Sequence, residues 1–486
     1  MKTLPILLKD FYKTDHRKQY PQGTQQVYSN FTARGSRIRR FKEVVVFGPQ
    51  YFVKEFLINR FNEDFFNKPK SEVVAKYKRR MDNALGPNAI SMEHIEALHD
   101  LGYLPLEVKS LPEGTIAPIR VPMLTIKNTL PEFFWLTNFL ETLLSCVLWF
   151  PTTSATTAFE YRKMLNSFAN KTSDIPDFVQ WQGHDFSMRG HTGPEAAAVS
   201  GAAHLLSFTG TDTIPAIDFL EDYYGANCEK ELIGGSVSAT EHSVMCLGGN
   251  ETELNTFKRL ITEVYPKGIV SIVSDTWDYY KVIGEVVPTL KSEIMSRDGK
   301  VVIRPDSGDP VTIICGDPKA LYGSIQHKGT VEHLYEVFGG TVNSKGFKQL
   351  DPHIGVIYGD SITLDRCEAI CAQLKKKGFA STNVVFGIGS YTYQYVTRDT
   401  FGFAVKATHG IINGDSVDIY KDPVTDNGVK KSAKGLLRVN ADLSLSEQVS
   451  EAEEKEGLLR TIFLDGKLTN EETLAIIRQR LLSNLK

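Results

Sequence analysis

Three apolar runs in this sequence end in aspartate: GIVSIVSD (268–275), KVVIRPD (300–306) and HIGVIYGD (353–360). A fourth, NVVFGIGS (383–390), ends in a glycine-bearing tip. Their interiors are runs of Val and Ile rather than alternations with polar residues, so both faces of such strands have to be covered. Between them lie DYYKVIGEVVPTLKSEIMSRDG and TLDRCEAICAQLKKKGF, which have the length and charge of helices. Strand, helix, strand, helix predicts right-handed parallel crossovers, and hence an α/β sheet or barrel. Ligands of such folds bind beyond the carboxyl ends of the strands. That rule places Asp275, Arg304, Asp306, Asp360 and the 387–390 loop at one mouth. Any one of the aspartates could simply cap the next helix; their recurrence, beside an arginine, favours a site.

The sharpest of these tips is VVIRPDSGDP (301–310). Pro305 and Pro310 have no N–H to donate and Gly308 has no Cβ, so strand pairing is expected to stop near Arg304. Asp309 and Pro310 read as the start of the following helix.

At 486 residues the chain exceeds the usual single-domain range, so two domains or an enlarged barrel are expected. The first 130 residues mix short strands such as EVVVFGPQYF (43–52), a polar helix over 71–85 and the proline-punctuated LPLEVKSLPEGTIAPIRVPMLTI, a pattern of antiparallel α+β structure. Lys+Arg 55 against Asp+Glu 58 leaves a net charge of -3, which offers no global attraction to nucleic acid or an anionic membrane. The start of the chain lacks the apolar run and cleavage site of a signal peptide. FFWLTNFLETLLSCVLWF (133–150), interrupted by Asn138 and Glu141 and lying between Pro131 and Pro151, is expected as a buried core helix. The six scattered cysteines suit a reduced, cytoplasmic protein, and Cys367 and Cys371 read as small buried residues of one helix.

Two upstream segments add chemistry. Phe186 and Arg189 precede an Ala/Gly-rich helix and a strand ending at Thr211-Asp212-Thr213. An aromatic face stacks a planar ring and an arginine fork suits phosphate, although a core phenylalanine and a surface ion pair would read the same way. His242 follows a run of Gly, Ser, Ala and Thr, and Asp275 is placed to hold one imidazole nitrogen while the other acts as nucleophile. The sequence has no GxxxxGK[ST] loop, HExxH, GxSxG or strand-linked GxGxxG, so phosphate must be gripped by Arg, Lys and backbone amides. Arg398, Lys406, Lys421, Lys430 and Lys431 are the late cations available.

KDFYKTDHRKQYP (9–21), WLTNFLET (135–142), HDFSMRG (184–190), FTGTDT (208–213), SVSATEHS (236–243), VSIVSDTWD (270–278), IYGDSI (357–362), FGIGS (386–390), VTRD (396–399) and YKDPVTD (420–426), with VVIRPDSGDP among them, occur in order along nearly the whole chain. In these motifs the sequence resembles the nicotinamide phosphoribosyltransferases of the type II phosphoribosyltransferase family. The resemblance implies an irregular α/β barrel over 151–399 and an α+β, mostly antiparallel domain over 1–150 completed by 400–486. It implies a pentosyltransferase that moves phosphoribosyl from phosphoribosyl pyrophosphate to nicotinamide, releasing pyrophosphate, with Mg2+ and with ATP as a coupled substrate.

Carried onto this sequence, the resemblance makes Phe186 the stacking ring and Asp212 the acceptor of the carboxamide N–H. A carboxylate there suits nicotinamide and repels nicotinate. Arg189 and Arg304 would meet pyrophosphate or the ring, and Asp306 and Asp360 the ribose hydroxyls. Ser271 and Gly359 would also contact substrate. Arg398 with Gly389 and Ser390 would hold the 5′-phosphate, Ser390 standing in place of a family glycine, and Lys406, Lys421 and Lys430 would bind phosphates. His242 would be phosphorylated by ATP and oriented by Asp275. Asp10 and Tyr12 would reach into the neighbouring subunit of a homodimer. The alternatives are a nicotinate phosphoribosyltransferase and a catalytically silent nicotinamide-binding homologue.

Overall fold

The computed structural model describes residues 3–359, 361–422 and 432–485. The chain divides into two compact units, one of Met1–Thr156, Leu220–Ala226 and Val396–Ser483, the other of Thr157–Phe219, Asn227–Tyr395 and Asn484–Lys486.

The N-terminal part of the first unit supplies strands β1 (Thr24–Thr32), β2 (Leu106–Ser110) and β3 (Pro122–Asn128). The 43–52 stretch, expected as one strand, pairs only over Glu43–Val45. Gly48 then turns at φ +108° and Pro49 opens a helix, since a left-handed residue ends a strand and proline fits a first helical turn. Helix α1 (Lys70–Leu85) forms where the sequence predicts it and buries Val73, Val74, Tyr77 and Met81 along one stripe.

The apolar 133–150 run becomes the short helix Leu136–Phe139 followed by α2 (Glu141–Thr172). Pro151, expected to bound the run, instead lies inside α2. An interior proline costs about 3 kcal/mol, and α2 offsets this by burying Leu144, Leu148, Ala155 and Phe159 almost completely. No single helix among the described residues is long and apolar enough to cross a membrane; only the pair Pro131–Phe139 and Glu141–Thr172 meets that criterion together, across a 44° bend.

The second unit is built on β4 (Gly183–Asp185), β5 (Gly210–Thr211), β6 (Ser238–Ala239), β7 (Lys267–Val273), β8 (Asp298–Arg304), β9 (Ile354–Tyr358) and β10 (Val384–Ile388). All pair in parallel, in the order β5-β4-β10-β9-β8-β7-β6. The four apolar runs with charged or glycine-bearing tips are β7 to β10, and β8 stops at Arg304 as expected. A parallel bridge between Gly210 and Gly235 brings the β5 edge to the segment leading into β6, so the sheet curls round on itself.

Helices α3 (Pro194–His204), α4 (His242–Gly248) and α5 (Leu364–Lys376) belong to the same unit. On α5, Cys367 and Cys371 are fully buried in the core. The 279–297 segment, expected as one helix, is broken into four short pieces, with Pro288 interrupting the hydrogen-bond ladder near its middle.

The chain then returns to complete the first sheet with β11 (Ala404–Ile412), β12 (Asp415–Asp418), β13 (Arg460–Leu464) and β14 (Lys467–Leu468). The order is β12-β11-β1-β3-β2-β13-β14, antiparallel throughout. N- and C-terminal segments are also joined through Glu113, whose buried carboxylate accepts N–H from Gly48 (2.9 Å) and Gln50 (2.6 Å) and O–H from Tyr224 (3.0 Å). Its own N–H donates to Glu472, which Arg480 clasps. Burial pushes the Glu113 carboxyl up to about 7.

Candidate active site

The end of β8 presents Arg304 and, after Pro305, Asp306. Gly308 makes the turn at φ +89°, and Asp309 accepts the Thr312 N–H (2.9 Å) to start the helix Pro310–Cys315, as the sequence suggests. The neighbouring tip of β9 supports the same turn, because Tyr358 Oη donates to Gly308 O (2.9 Å) and Gly359 N donates to Pro305 O (3.1 Å). A β-carbon at Gly359 would collide with Asp306 Oδ1, so glycine here lets the Asp306 carboxylate pack against the neighbouring strand tip. Asp360 lies outside the described residues.

Arg304 Nη2 donates to Thr240 O (3.0 Å), which fixes the guanidinium beside the segment leading to His242. Its Nε is buried without a protein partner. His242 is the first residue of α4, and its Nε2 lies 3.4 Å from Asp275 Oδ1. That distance exceeds a usual hydrogen bond, and Asp275 Oδ1 accepts none from the protein. The imidazole is half exposed, whereas Asp275 is buried.

Inside the curled sheet is a cavity of about 400 Å3, lined among others by His184, Phe186, Asp212, Ser236, Ser271 and Val356. Barrels of this type usually fill their interior with side chains; here Gly235, Ala239, Ser271 and Gly355 leave it open. The Phe186 N–H donates to Ile388 O (3.0 Å), and the ring lies so close over Gly387 that a β-carbon there would be 2.6 Å from it. The opposite electrostatic element is Asp212, whose Oδ1 accepts from His184 Nε2 (2.9 Å) and Ser236 Oγ (2.6 Å). Burial pushes the Asp212 carboxyl up, but the His184 and Ser236 hydrogen bonds and the Arg304 charge outweigh it and hold the group below its ordinary value. Ser271 Oγ is buried in the cavity lining with no hydrogen-bond partner.

The turn carrying Phe186 and Arg189 is held by Asp185, whose Oδ1 accepts both N–H (2.9 Å) and O–H (2.6 Å) of Ser187. Arg189 is exposed. Gly190 packs directly against Ser390, and a β-carbon on it would collide with Ser390 Oγ, so the Ser390 hydroxyl is seated on the Arg189 turn. Gly389 immediately precedes the short helix Ser390–Tyr393.

Phe186, Arg189, Asp212, His242, Ser271, Asp275, Arg304, Asp306, Gly359, Gly389 and Ser390 thus belong to the second unit. Asp10, Tyr12, Arg398, Lys406 and Lys421 belong to the first. There Lys406 lines a separate cavity of about 270 Å3 with Asn30, Thr32, Arg34 and Arg120. Asp10 accepts the Thr142 hydroxyl (2.8 Å), while Tyr12 is exposed. Lys430 and Lys431 lie outside the described residues. Among the described residues no three His, Cys, Asp or Glu side chains are arranged to hold a metal.

The sequence alone does not single out His184, Asp185 or Ser236. A signal for His184 is nevertheless present, since residues two apart in a strand share a face and Phe186 reads as a ligand-facing ring. Asp185 acts locally, as an Asp accepting from the residue two positions on, whereas Ser236 acts on Asp212 across 24 residues, a contact that no local pattern encodes.

Residues 181–467 match the nicotinate phosphoribosyltransferase (NAPRTase) family, and residues 5–107 match the N-terminal domain of nicotinamide phosphoribosyltransferase. A protein of Acinetobacter baylyi named nicotinamide phosphoribosyltransferase is 55% identical over 99% of this chain and 98% of its own length. Proteins of the same name from Mycoplasma pneumoniae (37% identical, 87% of this chain and 92% of that protein) and Xanthomonas campestris (33%, 97% and 97%) are also similar. In fold, the chain resembles nicotinate-nucleotide pyrophosphorylase from Pyrococcus furiosus, with a TM-score of 0.55 at 14% identity, over 98% of this chain and 93% of that one. It also resembles human nicotinic acid phosphoribosyltransferase, with a TM-score of 0.53 at 15% identity, over 99% and 94%. A family match across more than half the chain, together with near full-length identity of 55%, establishes that this chain belongs to the nicotinate phosphoribosyltransferase family.

Proposed function

We propose that the protein transfers the phosphoribosyl group of phosphoribosyl pyrophosphate to the ring nitrogen of nicotinamide, forming nicotinamide mononucleotide and pyrophosphate in NAD biosynthesis. The observation that carries this reading is an ionised Asp212 on the wall of the same cavity as Phe186. Phe186 stacks the pyridine ring, and Asp212 accepts a carboxamide N–H that nicotinate lacks. The names of the full-length relatives support the same substrate. Ser271 Oγ and Arg304 Nε, buried and without protein partners, are the kind of polar atoms a bound substrate satisfies.

Catalysis then rests on holding the flat base against the ribose C1 and on meeting the charge of the departing pyrophosphate. Arg304 supplies fixed positive charge, and Asp306, with Asp360, orients the ribose hydroxyls. Phosphate binding by Arg189, Arg398, Lys406, Lys421, Lys430 and the Gly389–Ser390 amides is part of the same proposal. Mg2+ would neutralise the pyrophosphate oxygens and be held largely by them, since Mg2+ commonly binds through substrate phosphates and few carboxylates. His242 is proposed as the phosphate acceptor from ATP, through the imidazole nitrogen that Asp275 does not face. A homodimer in which Asp10 and Tyr12 serve the neighbouring subunit, in the cytoplasm and without nucleic acid or membrane partners, completes the proposal.

Product analysis with nicotinamide, phosphoribosyl pyrophosphate and Mg2+, with and without ATP, tests it. Mononucleotide is expected in both cases, with more formed when ATP is present. His242→Ala should lose the ATP stimulation and retain basal transfer. A protein that binds nicotinamide and releases no mononucleotide would support the catalytically silent reading instead.

A further inference from the structure

Asp212 has two carboxylate oxygens, and the protein treats them differently. Both hydrogen bonds from His184 Nε2 and Ser236 Oγ end on Oδ1. Among the described residues, Oδ2 has no donor, and the side chain is 43% exposed on a cavity wall, enough to meet a ligand. Because a carboxylate can only accept, Nε2 must carry the His184 proton. The His184 ring is held in turn against Phe186, with centroids 4.6 Å apart, and against Gly210, where a β-carbon would be 2.8 Å from Nδ1. The donor is therefore not free to follow a ligand.

We infer that His184 and Ser236 are specificity-determining positioning residues, which engage one oxygen of Asp212 so that the other is presented, ionised, to the amide group of the base. This deepens the proposed function and rests on Asp212 as the base-selecting group. The chemistry of the pair explains why two donors are needed. Burial alone drives a carboxyl toward its neutral form, and a protonated Asp212 would itself donate, welcoming the carboxylate of nicotinate. Two donors on Oδ1 keep the group an acceptor, and an acceptor selects an N–H and repels a negative charge.

The test is steady-state kinetics of full-length protein with nicotinamide and with nicotinate, in wild type, His184→Phe, His184→Gln and Ser236→Ala. Phenylalanine keeps a ring and removes the donor; glutamine restores an N–H at similar reach. His184→Phe should raise KM for nicotinamide about tenfold with a smaller change in kcat, and lower the nicotinamide-to-nicotinate ratio of kcat/KM about tenfold or more. His184→Gln should keep that ratio within about threefold of wild type, the rescue expected when the donor rather than the ring matters. Ser236→Ala, at an exposed position where folding is not at stake, should lower the ratio in the same direction. A wild-type ratio in both His184→Phe and Ser236→Ala, or an equal loss in His184→Gln and His184→Phe, would overturn the inference while leaving the proposed function intact. A wild-type protein that makes mononucleotide from neither base would overturn both.

Discussion

Glu113 in the antiparallel unit and the Ser271–Arg304 region of the parallel unit both place polar atoms out of solvent, with opposite completeness. Glu113 meets three protein donors, and its neighbours Glu472 and Arg480 are satisfied by one another. At the other place, Ser271 Oγ and Arg304 Nε are buried with no protein partner. An unmet buried polar group costs about 1–3 kcal/mol, a cost that a bound substrate can relieve beside the cavity that holds Asp212. The contrast separates a polar network that holds the fold from one prepared for a substrate.

Replacing a residue of each kind should therefore give opposite phenotypes. Arg304→Ala is expected to lower kcat/KM for nicotinamide about a thousandfold, equivalent to about 4 kcal/mol of transition-state stabilisation, while the thermal midpoint stays close to wild type. A large fall in the midpoint with little kinetic change would erase the distinction. Glu113→Ala should do the reverse, because it strands three buried donors at about 3 kcal/mol or more. Its thermal midpoint should drop by several degrees while KM for nicotinamide is unchanged in the folded fraction.

A smaller effect is expected at Lys9, which donates to Thr14 and Tyr77 (3.0 Å each) and lies 3.7 Å over the Phe139 ring. Burial pulls its pKa down from 10.5 to about 7. A depressed folded-state value means that the stabilising contribution of neutral Lys9 is fully present above 10.5 and is lost as pH falls through about 7. The stability gap between wild type and Lys9→Met should thus move against wild type by roughly 2 kcal/mol on going from pH 9 to pH 7. Parallel melting curves for the two proteins across that range would show that the amine is not desolvated.

The same contrast explains how much of the molecule is legible in its sequence. Strands β7 to β10 announce themselves as continuous apolar runs with charged tips, and the geometry of parallel crossovers then places Asp275, Arg304 and Asp306 without knowledge of any contact. Helix α1 follows from its stripe. The antiparallel unit offers no comparable rule, because β11 and β13 join β1 and β2 across more than 300 residues of sequence and the Glu113 network is assembled from segments 63 to 359 residues away. Local signals also mislead where packing overrides them: Pro151 reads as a stop and lies within α2, and the apolar 43–52 run reads as a strand yet turns helical after Gly48. In the site itself, Phe186 and Asp212 are legible as chemistry, whereas the donors that orient Asp212 depend on which side chains the curled sheet brings together.

The central claim is that an ionised Asp212 chooses the base. The most direct measurement is kcat/KM for nicotinamide and for nicotinate with phosphoribosyl pyrophosphate, in wild type and in Asp212→Asn. Wild type should prefer nicotinamide by about a hundredfold or more, and Asp212→Asn should narrow that ratio by at least about tenfold, since a neutral amide no longer repels a carboxylate. Faster turnover of nicotinate by the wild-type protein, or an unchanged ratio in Asp212→Asn, would contradict it.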